Sequence, residues 1–300
     1  VHDRPGESGS DLPEASGKFR YGDVVLEASW IADSDLRSPD LVLGNYHLAG
    51  SFRSTDHILA DPAGVLGELV PVVSREYVRQ IWVTRRVDHA MSKIGGGLES
   101  LGGAAPFPQQ VLSWVFPVGV TTHVLLLAGL RNATVRQRYV AVRELLTGYN
   151  RLPLYGELLG LLGCAEMSPA RAAQHLDALA TLFDAATGKA TSRFPFASDL
   201  TEVGRPIAID GSRDLIARGD HREAVFWIVV TYARCLAVLH TDLPDLDREA
   251  FDDGFRALLG DLGIGSTRDL RRRGAELTAF LPRLRAVADE IMVENPDVHA

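Results

Sequence analysis

The chain has 300 residues, 46% of them apolar and 23% charged, which is enough for a sizeable buried core in one large or two modest domains. A formal net charge of −8 excludes the broad basic surface of a general nucleic-acid binder, though local basic pockets for a nucleotide remain compatible with it. Two cysteines, Cys164 and Cys235, in apolar surroundings exclude a disulfide framework and favour a reducing compartment, the cytoplasm.

Residues 1–20 are polar and rich in Gly, Ser and Pro, so no secretory signal is expected, and 4–20 read as a surface loop. Val24 to Ile31 alternates like a half-buried strand, with Val24, Leu26, Ala28 and Trp30 on one face. Val25, Glu27 and Ser29 occupy the other, which puts a carboxylate in mid-strand. Lys18 to Tyr21 pairs with this strand as a hairpin around Gly22-Asp23. A short helix over 34–43 follows, limited by Pro39. Asp61-Pro62-Ala63-Gly64 reads as a turn and N-cap ahead of a helix from Val65 to Leu69.

Strand signals nearly vanish after Ser74. A long helix is expected from Ser74 to about Ile94, ended by Gly95-Gly96-Gly97. Val111 to Leu130 carries no Asp, Glu, Lys or Arg over about the ~20 residues that a membrane span needs. Pro117, Gly119 and His123 inside it favour a helix buried in a bundle, with His123 a hydrogen-bonded core residue. Helices then read at 135–146, from Pro169 behind an N-cap at Ser168 to a stop at Gly188, and from Asp220 to Leu239. The spacing of Asp220 and Glu223 is that of a capping box. Two more helices at 251–259 and 266–293, the last kinked by Pro282, complete an all-helical half.

GDVVLEASW followed by GNYHLAGSFRSTDHILADPAGVLGEL resembles the later part of the catalytic domain of kanamycin-type aminoglycoside nucleotidyltransferases. In that family a strand of the form Gly-Asp/Glu-x-x-Val/Leu-Glu carries the third metal-binding carboxylate, which places Glu27 there. The resemblance is strongest from Gly22 to about Leu69, thins through 74–94 and is architectural afterwards. The family's Gly-Ser and Ser-Asp-x-Asp signature is absent from these 300 residues. Ser10-Asp11-Leu12 lacks the second Asp, and Asp56 and Asp61 are too far apart to serve one metal pair. The expected place of the signature is just before Val1, so the sequence is expected to begin inside a domain.

The resemblance implies an α+β protein with an incomplete mixed β-sheet nucleotidyltransferase-like domain over 1–73 and a helical bundle over 74–300. It further implies transfer of a nucleoside monophosphate from a nucleoside triphosphate to a small-molecule hydroxyl, with three carboxylates holding two Mg²⁺ about 3.5–4 Å apart. The family also places a base and a Lys four residues apart on the first long helix. His89 and Lys93 have that spacing, with Asp88 adjacent, so His89 or Asp88 is the candidate base and Lys93 the candidate phosphate ligand. Arg131 and Arg136 are further candidates for triphosphate oxygens. Glu27 is expected to face a cleft against the helix over 74–94, with Leu26 and Trp30 packed beneath it. Broad apolar helix faces, and the family's habit of sharing a site between subunits, lead to the expectation of a homodimer. A competing reading is a non-catalytic nucleotide-binding or interaction module on a degenerate form of the same fold. No Cys/His set has zinc spacing, and no Gly-x-Ser-x-Gly elbow or phosphate-binding glycine motif occurs.

Overall fold

The computed structural model describes residues 17–99, 101–191, 194–243 and 248–300. The loop reading up to residue 16 and the Ser10-Asp11-Leu12 reading lie outside the described residues. The described chain is mainly helical with a single two-stranded antiparallel hairpin, β1 (Gly17–Tyr21) and β2 (Val24–Ala28). The expected mixed sheet is therefore an antiparallel pair among the described residues.

Cross-strand register sets Phe19 opposite Leu26 and Tyr21 opposite Val24 on one face, and Lys18 opposite Glu27 on the other. The apolar face points outward: Leu26 is 41% exposed, and Phe19, Tyr21 and Val24 are also exposed. The expectation that Leu26 packs beneath Glu27 is thus reversed. The polar face is the one that meets the helices, because Lys18 ion-pairs with Asp199 as well as Glu27.

Next come the short helix α1 (Pro39–Gly44), then α2 (Val65–Glu76) and α3 (Gln80–Glu99). Asp61 does close the turn before α2, its carboxylate accepting from the Gly67 N–H at 2.7 Å. The single helix expected from Ser74 is instead split at residues 77–79. There the C-terminal tail forms a parallel bridge between Arg79 and His299, with the Gln80 N–H donating to the His299 carbonyl. Conversely, Gly95-Gly96-Gly97 does not stop α3. A Cβ on Gly97 would fall 2.5 Å from the Pro117 ring, so the glycine lets the facing helix pass close by.

That facing helix is α4 (Phe107–Ala128), the centre of the bundle, which packs against α3, α9 (His221–Asp242) and α11 (Thr267–Glu294). Both α4 and α9 are long and apolar enough to cross a membrane, yet 78% and 83% of their apolar windows are buried among other helices. Between them in sequence lie α5 (Arg138–Gly148), α6 (Leu152–Leu162), α7 (Pro169–Ala186) and α8 (Gly211–Ala217). The short α10 (Glu249–Asp261) precedes α11.

Ser168 caps α7 as expected, accepting from the Arg171 N–H with Pro169 in the first turn. Asp220 does not cap α9. Its carboxylate takes Arg143 at 2.7 Å and Arg218 at 2.6 Å, because charged donors outcompete a backbone N–H.

Two apolar clusters result. The large one joins α3 to α11, and a small one gathers Leu36, Leu43, Val73 and Trp82. Helix α3 feeds both, Trp82 to the small cluster and Val83 and Val87 to the large one.

Candidate functional site

The Gly44–Ala49 segment ends α1 and lays Tyr46 and His47 across α3. Asn45 holds it there, its side chain accepting from the His47 N–H at 3.0 Å. The result is a cleft of about 390 Å³, lined by Tyr46, His47 and Lys93 at one side. Leu112, Phe116, Pro117 and Val120 of α4 form the apolar floor, with Ser113 beside them. A volume of this size lies in the range of small-ligand sites. No carboxylate lines it.

His89 stands behind this wall, its ring 5.3 Å from Tyr46 and 6.3 Å from His47, centroid to centroid. Its Nδ1 accepts the Tyr46 N–H at 3.3 Å, which assigns the neutral tautomer with the proton on Nε2. Burial, then the neighbouring Lys93 charge, holds His89 below its ordinary pKa. Burial, His89 and Lys93 do the same for His47. At neutral pH His47 in the wall and His89 behind it are therefore neutral imidazoles beside Lys93. His47, whose ring is in the cleft itself, is the imidazole a ligand would meet first.

The sequence candidates separate. His89 and Lys93 share the face of α3 that turns towards Tyr46 and His47, as their spacing requires. Asp88, one residue and about 100° round the helix, faces α11 and ion-pairs with Arg285. Arg131 is exposed in the turn after α4, near Tyr149. Glu27 and Arg136 belong to a second place, where the hairpin meets the bundle. There Lys18 bridges Glu27 (3.2 Å) and Asp199, and Arg234 binds the other Asp199 oxygen at 2.5 Å.

Mg²⁺ needs several hard oxygen ligands. The cation position beside Glu27 is filled by the Lys18 ammonium, and among the described residues no three His, Cys, Asp or Glu side chains converge as a metal-holding group. The described residues by themselves do not fit the implied metal pair.

Tyr46 and His47 were within the stretch GNYHLAGSF that carries the family resemblance, but nothing in their spacing marked them. Asp199, Trp227 and Arg234 lie far from Glu27 in sequence, so only the packing of the 197–199 turn against β1, and its tie to Arg234 of α9, bring them together.

His123 closes the inner end of the histidine group, 5.9 Å from the Tyr46 ring. Its Nε2 bonds the Thr134 carbonyl at 3.0 Å, and only 6% of the residue is exposed. Burial, then the Arg138 charge, pushes its pKa down to about 3. The unfolded chain takes up this proton near pH ~6.5, whereas the folded chain refuses it until far lower pH. Protonation therefore favours unfolding, and stability contributed by His123 is full above that value and falls with pH below it, by at most about 1.4 kcal/mol per pH unit. Urea unfolding is expected to show this loss between about pH 6.5 and 4.5. In His123→Gln, which keeps an N–H for Thr134, the slope should be shallower by about one proton. An unchanged slope would mean that His123 is already charged in the folded protein.

No family model matches this chain, and neither a curated protein nor a solved structure is found to match it.

Proposed function

We propose that the cleft between Tyr46-His47, α3 and α4 binds a nucleoside triphosphate, and that the chain is part of a nucleotidyltransferase of the kind its Gly22–Leu69 stretch resembles. The observation that carries this reading is the chemistry of the cleft. Lys93 and His47 stand at one side of an apolar floor with no carboxylate in the lining, a setting that suits an anion attached to a planar apolar body. Lys93 serves as a point charge for phosphate oxygens and His47 as an adjacent hydrogen-bonding imidazole. The acceptor would be a small molecule with a free hydroxyl, an aminoglycoside being the family's example. A homodimer and a cytoplasmic setting belong to the same reading.

A second reading has its own support. Lys18 neutralises Glu27 and ties it to Asp199, so Glu27 serves as a structural partner and the chain binds nucleotide without transferring anything.

Calorimetric titration with ATP, with Mg²⁺ and with EDTA, tests the shared part. Lys93→Ala is expected to weaken binding about tenfold, equivalent to about 1.4 kcal/mol. Binding that is absent, or indifferent to Lys93→Ala, would sink both readings. Transfer of labelled nucleotide to a panel of hydroxyl acceptors separates them. Transfer abolished by Glu27→Ala selects the enzyme, and binding without transfer selects the module.

A further inference from the structure

The seam where the hairpin meets the 197–199 turn, and through Asp199 reaches α9, concentrates positive charge about one indole. The guanidinium carbons of Arg136, Arg138 and Arg234 lie 4.9, 5.6 and 5.9 Å from the centre of the Trp227 ring. Lys18 joins them through Asp199. Four cations thus face two carboxylates, Asp199 and Glu27, and Asp199 is already shared between Lys18 and Arg234. Like charges in a partly dehydrated place repel: burial first, with the Arg234 charge adding to it, holds Arg136 and Arg138 down to about 10.

Arg136 is the member whose valence is open. Its side chain is half-buried and makes no hydrogen bond or ion pair among the described residues, although Asp199 and Glu27 lie near enough to act on it through their fields. It is also held in place. The turn that carries it is pinned at the Val135 carbonyl, which accepts from Trp227 Nε1 at 2.9 Å and from Arg138 Nε at 2.8 Å. Stacking on the Trp227 face fixes the guanidinium further. A rigid, half-exposed guanidinium fork beside a second one, with no anion of its own, is the arrangement that recognises a phosphate-type oxyanion.

We propose that Arg136 and Arg234, backed by Trp227, form an oxyanion site for phosphate or a phosphate monoester, separate from the Lys93 cleft. The bound oxygens bridge the two guanidinium groups and supply the missing negative charge at the hairpin seam. The inference does not rest on nucleotide binding in the cleft.

The test is a calorimetric titration of the full chain, at constant ionic strength, with inorganic phosphate and separately with phenyl phosphate. Saturable binding is expected, accompanied by a change in tryptophan emission that Trp227→Phe removes. Arg136→Gln, whose fold is checked by circular dichroism and thermal melting, should weaken binding about tenfold or more. Arg136→Lys, which keeps the charge but loses the fork, should fall between. The exposed Arg256→Gln should leave the affinity unchanged. Equal affinity for the two anions identifies a free-phosphate site, and tighter phenyl phosphate identifies a monoester site. Three results would overturn the proposal: no saturable binding of either anion up to about 10 mM, far weaker than a specific site requires; binding indifferent to Arg136→Gln; or binding lost in Lys93→Ala while Arg136→Gln retains it.

Discussion

Glu223→Ala is expected to destabilise the protein by about 3 kcal/mol, among the largest effects of any single substitution outside the apolar core. Glu223 lies in the first turn of α9 and is 2% exposed. One of its oxygens takes both the Arg143 guanidinium and the Tyr155 hydroxyl, the latter at 2.5 Å. Alanine would leave the phenol buried without an acceptor and remove the charge that favours the N-terminus of α9. The loss falls at the low end of the range for a broken buried pair because Arg143 is partly exposed and keeps Asp220. Glu223→Gln, which retains an acceptor for Tyr155, should recover part of the loss. Urea unfolding of the three proteins measures it, and a cost for Glu223→Ala below about 1 kcal/mol would show that the pair contributes little net stability.

Arg86→Met is expected to cost about 2–3 kcal/mol, with the damage centred on α1 and α2. Arg86 is 1% exposed and has no carboxylate partner among the described residues. Its guanidinium instead donates to the Leu43 carbonyl in the last turn of α1, at 3.2 Å, and to the Tyr77 carbonyl at the end of α2, at 2.7 Å. It also sits 4.1 Å from the Tyr77 ring centre. Two helix C-termini, each with unsatisfied carbonyls and a partial negative charge, therefore provide the countercharge. Methionine keeps the apolar stem but leaves both carbonyls buried without a donor. Because α1 leads directly into Tyr46 and His47, hydrogen exchange should rise across 39–47, and the ligand cleft should weaken with it. Protection that stays native-like there, with stability unchanged, would show that the clamp is dispensable.

The sequence by itself determined the helical character of the chain after Ser74, the burial of α4, the cap at Ser168 and the hairpin around Gly22-Asp23. These are local properties, set by apolar period, capping chemistry and turn residues within a few positions of one another. It also determined that His89 and Lys93 share a helix face, because an i, i+4 pair does so on any α-helix. Tertiary contacts decided the rest. The bridge from the C-terminal residue His299 to Arg79 splits the helix expected from Ser74, and the close passage of Pro117 carries α3 through its three glycines. Asp220 abandoned its cap for two arginines, one of them 77 residues away in sequence. The hairpin's orientation was settled by Lys18 and Asp199, 181 residues apart, whose ion pair turns the polar face inward and leaves Phe19, Tyr21, Val24 and Leu26 outward. Alternation fixes which side chains share a face of a strand, but not which face meets the protein. The same limit hid the arginine cluster about Trp227, since its members come from the turn before α5, from the start of α5 and from α9, and charge neutrality at a seam is a property of the assembled fold.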